Sequence, residues 1–522
     1  MKGAVGAGHE LTARAGARVL EEGGNAVDAC IAAAFASWVV ESPLTGPGAG
    51  GFMLVHRARD RSTRVLDFFV AMPGLGRSRV GEGEMEAVDI SFGSGDTTQR
   101  FLIGPASCAV PGTVAGLAAA HRTYGTLPWR ELLAPAVELA RDGFELTKEQ
   151  ALLHALLDSI LRHFPEGRRV YSKGGARLVA GDRVTLRDLG GTLSALAEEG
   201  PDSLYAGDLG AAIVRHLAES GGALTRGDLG AYRVVRRRPV GTRFAGGSFL
   251  SNPPPSSGGV LIAYGLGLLD RLDPVRPAGS ADEVARLIGV MQEQTRVRDR
   301  RFASELYRGG LASRLLGSSS LRDGVSRMRS RLGGVAESAS PSGTTHISVL
   351  DGVGNAASLS ASTGAGSGVV VPGTGIHLNN MLGEYDLRPG GRALRPGERL
   401  TSMMSPSIVL VDERPRLVLG SAGSARLRGA VMQVAANVMR HGLDVRAAID
   451  APRVHIDESH VHCEGGHDAL VPDELGRQGY DVVRWRRRNL FFGGVAGVER
   501  TGDGALAAAG DPRRGGYGVV VR

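Results

Sequence analysis

Ser342-Gly343-Thr344-Thr345-His346-Ile347-Ser348-Val349-Leu350-Asp351 lies about two thirds of the way along a chain of 522 residues. Thr345, Ile347 and Val349 alternate with polar positions, the period-2 pattern of a strand, and Gly343 precedes two hydroxyl residues. With no side chain on Gly343 to block approach, the Thr344 Oγ can attack the Gly343 carbonyl. Hydrolysis of the resulting ester would cut the chain and make Thr344 a new N-terminus. Its freed α-amine, of reference pKa about 7.7–8.0, could then act as base for the same hydroxyl. On ten residues alone, β-propensity with a solvent-facing His is the simpler explanation of the pattern.

Working outward, Asp351-Gly352-Val353-Gly354-Asn355 is turn-rich, and Ala356 to Ser362 forms an answering strand. A hairpin centred on Val353 places Ser362 opposite Thr344, where directly opposed Cβ atoms lie about 4.5–5.5 Å apart. A slip of one residue would remove that hydroxyl. Upstream, residues 310 to 342 are rich in Ser, Gly and Arg without sustained periodicity, and read as a mobile linker reaching to Gly343. Downstream, Leu417-Val418-Leu419 enters Gly420-Ser421-Ala422-Gly423-Ser424, and Ala425 to Met439 has helical periodicity. The Gly423 and Ser424 amides would then sit at a helix N-terminus, a place suited to a developing oxyanion or simply to an ordinary cap.

Elsewhere the pattern gives helices over Leu11 to Glu22, Ala26 to Val40, Pro111 to Tyr124, Trp129 to Arg141, Val260 to Leu272 and Ala281 to Leu306. Residues 149 to 243 read as largely helical. Thr45 to Gly51 is glycine-rich but precedes its strand, the reverse of a phosphate cradle. Charge is modest, 61 Lys+Arg against 54 Asp+Glu, and the Arg clusters at 236–238, 296–301 and 484–488 lack interleaved aromatics. They read as solvated faces, which argues against nucleic acid. Three Cys with no metal spacing argue against a disulfide framework or zinc site. The first ten residues contain no apolar signal region, and no run reaches membrane-spanning length, so the expectation is a cytoplasmic protein without a membrane partner.

Gly23-Gly24-Asn25-Ala26-Val27-Asp28, Gly46 to Met53, Pro111 to Gly116, Pro253 to Gly259, Gly343 to Ser348, Leu378-Asn379-Asn380, Met404-Ser405-Pro406 and Ala451-Pro452-Arg453 together resemble the γ-glutamyltranspeptidase family of N-terminal nucleophile hydrolases. The resemblance implies an α/β fold, a four-layer αββα sandwich built from two subunits of one self-cleaved precursor. These would be residues 1–343 and 344–522. It implies Thr344 as nucleophile, Ser362 as the assisting hydroxyl, Gly423 and Ser424 as oxyanion donors, a small-molecule substrate, and neither cofactor nor metal.

The departures fall in the substrate pocket. Phe69 stands where the family carries the Arg that holds a γ-glutamyl α-carboxylate. Met381 and Glu384 replace the Gln and Asp that bind the α-amino group, and of two paired serines Ser402 remains while Met403 replaces the other. The expectation is an acyl hydrolase for which glutathione is a poor substrate. A pocket without the carboxylate Arg looks similar to that of relatives in actinobacterial secondary metabolism that hydrolyse a C–C bond beside a keto acid while making 4-alkyl-proline building blocks, so C–C bond hydrolysis in natural-product biosynthesis is one form the resemblance implies for this reaction. Ordinary γ-glutamyl hydrolysis or transfer, cephalosporin-acylase-like amide cleavage, and an unprocessed binding protein are the alternatives.

Overall fold

In the computed structural model, all residues are described except 78–82, 93–96, 330–342, 385–386, 388–392, 424–425 and 458–459. Two antiparallel sheets stack face to face. The strands of the first are β1 (Gly3–Ala7), β2 (Gly50–Arg57), β3 (Ser62–Phe68) and β4 (Val235–Arg237), joined later by β7 (Gly343–Asp351), β8 (Ala356–Gly364) and β13 (Tyr517–Val521). Their order is β4-β3-β2-β8-β7-β1-β13. The second sheet contains β5 (Val240–Phe244), β6 (Gly247–Ser251), β9 (Ser407–Val411), β10 (Arg414–Ala422), β11 (Gly494–Arg500) and β12 (Leu506–Gly510), in that order.

Helices cover both outer faces and make the four layers. On the first sheet lie α1 (Glu10–Glu21), α2 (Ala26–Val40) and α3 (Thr113–Tyr124), with α4 (Trp129–Asp142) packed on α2. On the second lie α6 (Gly258–Leu269) and α11 (Arg426–Met439), with α7 (Ala281–Arg296) packed on α6, while α5 (Lys148–Leu156) sits near the end of the sandwich beside the loop after β12. The α2 helix is buried at every position, as its apolar circumference requires. It starts at Asn25, whose side chain accepts from the Val27 and Asp28 amides while the Asp28 carboxylate accepts from the Asn25 amide.

Small residues let the two sheets approach. A Cβ on Gly6 would lie 2.7 Å from the Gly497 carbonyl oxygen, and one on Gly420 would lie 2.3 Å from the His346 ring. His346 is therefore enclosed between the sheets and does not face solvent.

Other expectations also need correction. Within the stretch read as a linker, α9 (Leu311–Leu316) and α10 (Ser318–Arg329) are helical, because Leu311, Leu315, Leu321 and Val325 recur at helical spacing and bury. Only residues 330–342 of that stretch lie outside the described residues. The helix expected from Ala281 to Leu306 is broken at residues 297–299, where Asp299 caps α8 (Arg300–Arg308). In the Arg236–Arg238 run, Arg237 is no free surface charge: it pairs with buried Asp67 at 2.7 Å. No helix among the described residues is long and apolar enough to cross a membrane.

Candidate active site

Thr344 occupies a break in the ladder between β7 and β8. Thr345 pairs with Ala361 and His346 with Ser360, the register of a hairpin centred on Val353, but the ladder shifts before Thr345 so that Gly343 faces Gly364. Within this bulge the Ser362 hydroxyl, placed opposite Thr344 by the turn, donates to the Gly343 carbonyl and accepts from the Gly364 amide at 2.8 Å. The bond that the sequence marks for cutting thus carries a hydrogen-bond donor on its carbonyl oxygen, and Thr344 and Ser362 are both buried.

Successive residues of β7 point to opposite faces. Thr345 points toward the helices, where its hydroxyl donates to Glu41 at 2.6 Å, and Thr12 donates to the other Glu41 oxygen at 2.8 Å. Burial raises the Glu41 carboxyl above the ordinary range, against these hydrogen bonds and the nearby Arg514 charge. His346 lies between the sheets with Nδ1 bonded to Ser360 Oγ at 2.8 Å and Nε2 to Ser348 Oγ at 3.0 Å. Burial lowers it to about 3, so it is neutral at physiological pH.

Thr344 and Ser362 line one cavity with every pocket residue singled out in the sequence: Phe69, Met381, Glu384, Ser402 and Met403. Leu387, Met404 and Leu427 complete the lining. No Arg or Lys is among these residues. The Phe69 backbone is fixed independently of its side chain, because its amide donates to Asp67 and its carbonyl accepts from Tyr232 Oη at 2.7 Å and Arg399 Nη1 at 2.9 Å. Its ring stacks on Phe52 with centroids 5.4 Å apart. Arg399 is committed behind this wall, with its guanidinium 4.2 Å from the Tyr232 ring centroid.

Glu384 is buried, and one of its oxygens accepts from the Ala365 amide at 3.1 Å, a donor shared with Asn380. Gly364, at φ +73°, permits this: a Cβ there would lie 2.1 Å from Asn380 Oδ1 and 2.6 Å from Glu384 Oε1.

Gly423, at φ +125°, follows β10, and its carbonyl accepts from the Arg426 amide as α11 begins. Ser424, its expected partner in an oxyanion site, lies outside the described residues. On the other side of Thr344 is a second cavity, lined by Glu41, Gln150, Ala422 and Arg514 among others. Sequence reading missed these residues, since nothing in their local patterns places four distant segments together. The only available signal was the acidic and basic run Asp511-Pro512-Arg513-Arg514. Part of its wall belongs to a buried ionic network in which Arg513 Nη2 meets Glu464 at 2.5 Å and Nη1 meets Asp511 at 3.1 Å, while Arg453 meets Asp511 at 2.6 Å. Among the described residues, no three His, Cys, Asp or Glu side chains are grouped to hold a metal.

A family model described as gamma-glutamyltranspeptidase matches residues 12–521. The chain belongs to the γ-glutamyltranspeptidase family. It is an enzyme of the N-terminal nucleophile hydrolase type, with the layered α/β fold of that group. Relatives within the family include the acylase ACY 1 proenzyme of Pseudomonas sp. strain SE83, 30% identical over 531 residues covering 100% of this chain and 94% of that protein. The glutathione hydrolase proenzyme of Escherichia coli strain K12 is 30% identical over 544 residues, covering 98% and 90%. Among solved structures, cephalosporin acylase from Bacillus halodurans superposes with a TM-score of 0.84 at 26% identity, covering 99% of this chain and 95% of that one.

Proposed function

We propose that the chain cuts itself between Gly343 and Thr344 and then works as an N-terminal-threonine acylase on a small molecule whose acyl group lacks the α-carboxylate of a γ-glutamyl unit. In self-cleavage, Thr344 Oγ adds to the Gly343 carbonyl carbon, held polarised by Ser362, and the C–N bond breaks to leave an ester and a free α-amine. Water hydrolyses the ester, leaving a Gly343 carboxylate. In turnover the same Oγ attacks the substrate carbonyl while its proton passes to the α-amine and on to the leaving group. The Gly423 amide serves the oxyanion, with Ser424 proposed beside it, and water releases the acyl group from Thr344.

The single observation that carries the substrate reading is the wall of the Thr344 cavity, where Phe69, Met381 and Met403 present apolar surface and Glu384 is the charged group. A bidentate Arg–carboxylate pair contributes about 1.5–3 kcal/mol in all through its charge-assisted bonds, so its absence disfavours a γ-glutamyl donor by tens to hundreds of fold. An apolar acyl group, or one with an amine directed to Glu384, fits the cavity. The bond is read as an amide because relatives at 30% identity are named an acylase and a glutathione hydrolase. Hydrolysis of a C–C bond would form the same Thr344 ester with a carbon leaving group.

Denaturing gels, N-terminal analysis of the smaller band and a panel of acyl p-nitroanilides test this reading. Two chains, the smaller beginning at Thr344, and faster release from apolar or amino-bearing acyl groups than from γ-glutamyl are expected. An uncut chain identical to Thr344→Ala, or γ-glutamyl as the best donor, refutes it.

A further inference from the structure

Thr344 is the one residue that the acyl cavity and the second cavity share. With the acyl group in the first and its carbonyl oxygen directed toward Gly423, the group leaving Thr344 is directed to the second. That cavity has room of about 30 Å³, which is about two waters at roughly 10–15 Å³ each and also the scale of a carboxylate.

Its polar wall is unfinished. Arg514 Nε and Nη1 are buried and have no hydrogen-bond partner, and Gln150 Oε1, on a side chain that is 2% exposed, has none either. The surrounding charges are otherwise committed. Arg513 is held by Glu464 and Asp511, and Asp511 by Arg453. Glu41 is held by Thr12 and Thr345, with burial favouring its neutral form. Glu149 is at the exposed rim. Among the described lining residues, Arg514 is the cation with no carboxylate in ion-pair range. Burial lowers it only to about 10, which leaves it protonated at neutral pH. Its Nη2 lies 3.5 Å from where a Cβ on Gly423 would be, so the guanidinium stands beside the turn expected to hold the oxyanion. A buried guanidinium left unpaired is costly, and an anion that completes its hydrogen bonds removes that cost.

We propose that this cavity is a carboxylate-binding subsite on the leaving-group side of Thr344, anchored by Arg514. The placement on the leaving-group side rests on Thr344 being the nucleophile; the binding of carboxylate does not. Two sources present the same chemistry: the carboxylate of an amine released from, or transferred to, the acyl-enzyme, and the Gly343 carboxylate made by self-cleavage. Gly343 lies beside Leu44, which also lines this cavity.

Calorimetric titration with 3-aminobenzoate and with aniline, on purified processed protein and on uncut Thr344→Ala, tests the site without requiring turnover. At least tenfold tighter binding of 3-aminobenzoate is expected in one or both forms. Preference in processed protein assigns the site to the leaving amine. Preference in Thr344→Ala alone assigns it to the Gly343 carboxylate, which then fills it after cutting. Arg514→Gln should bring the ratio to within about twofold while Arg514→Lys retains part of it, with thermal unfolding of each variant checked for a native fold. No preference in either form, or a preference that survives Arg514→Gln, overturns the proposal. Failure of self-cleavage on the gel is a separate result that bears on the function proposed above.

Discussion

Phe69→Arg puts into the cavity beside Thr344 the charge that the family resemblance leads one to expect there. The strand end should stay in place, because the Phe69 amide and carbonyl are held by Asp67, Tyr232 and Arg399 and not by its ring. What changes is the cavity wall, where a guanidinium would face Glu384 across the space beside Thr344. Loss of the stack on Phe52 reduces stability by on the order of 2 kcal/mol, less than the roughly 3–5 kcal/mol for Phe→Ala, since the Arg stem keeps part of the contact. A carboxylate bound by charge-assisted hydrogen bonds is favoured by about 1.5–3 kcal/mol, a factor of roughly 10–150 in kcat/KM for γ-glutamyl-p-nitroanilide. In the empty cavity the new Arg pairs with Glu384, so the gain should fall at the lower end, near tenfold. The assay compares wild type, Phe69→Arg and Phe69→Arg with Glu384→Ala, each confirmed as cut on a denaturing gel. Wild-type turnover already equal to that of Phe69→Arg would show that the missing charge is supplied elsewhere and that the substrate reading is wrong.

Four further outcomes are expected. Ser362→Ala removes the donor on the Gly343 carbonyl and should slow self-cleavage by about 10²-fold in timed gels, with unchanged cleavage arguing against polarisation by Ser362. Gly364→Ala puts a methyl within 2.1 Å of Asn380 Oδ1 and should displace Glu384, lowering activity on amino-bearing acyl groups more than on apolar ones; an equal loss on both would count against this role for Glu384. Arg513→Met leaves Glu464 buried without its cation, and Asp511 with Arg453 alone, and should cost about 3–5 kcal/mol, whereas Arg514→Met removes an unpaired charge and should be neutral or stabilising. Equal losses in thermal unfolding for the two variants would refute that contrast. His9, His154 and His377 are held near 4 and His346 near 3 by burial. The unfolded chain therefore binds protons first, and stability falls as pH drops below about 6.5, by up to roughly 1.4 kcal/mol per pH unit for each His. Urea midpoints from pH 7.5 to 5 should follow this slope, flattened by one His in His346→Gln; an unchanged slope would count against His346.

The hairpin was legible because the Asp351–Asn355 turn and the period-2 strands fix register locally, and this alone brought Ser362 to the bond before Thr344. The bulge that turns its hydroxyl toward the Gly343 carbonyl depends on packing at the end of the sheet, which no local pattern records. Helix α11 announces itself through periodicity, and α2 through its Asn25 cap and Ala-rich run. Helices α9 and α10 do not, because their Ser, Gly and Arg content hides four leucines and valines at helical spacing. Strands β4 and β5 do not stand out from the helical pattern and charged run around them, since Arg237 becomes a buried partner only once Asp67 is beside it. The acyl-cavity residues were found by resemblance, and the second cavity was not found, because Glu41, Gln150 and Arg514 come from segments hundreds of residues apart.

The strand order β4-β3-β2-β8-β7-β1-β13 has a consequence for the molecule if it is cut as proposed. With the chain severed before Thr344, β1, β2, β3 and β4 belong to one product and β7, β8 and β13 to the other, so the polypeptides alternate across a single hydrogen-bonded sheet like the teeth of two combs. Their association then has no ordinary dissociation constant, because separating them means unfolding the sheet. Dilution should leave the pair intact, and differently tagged molecules mixed after cutting should not exchange halves.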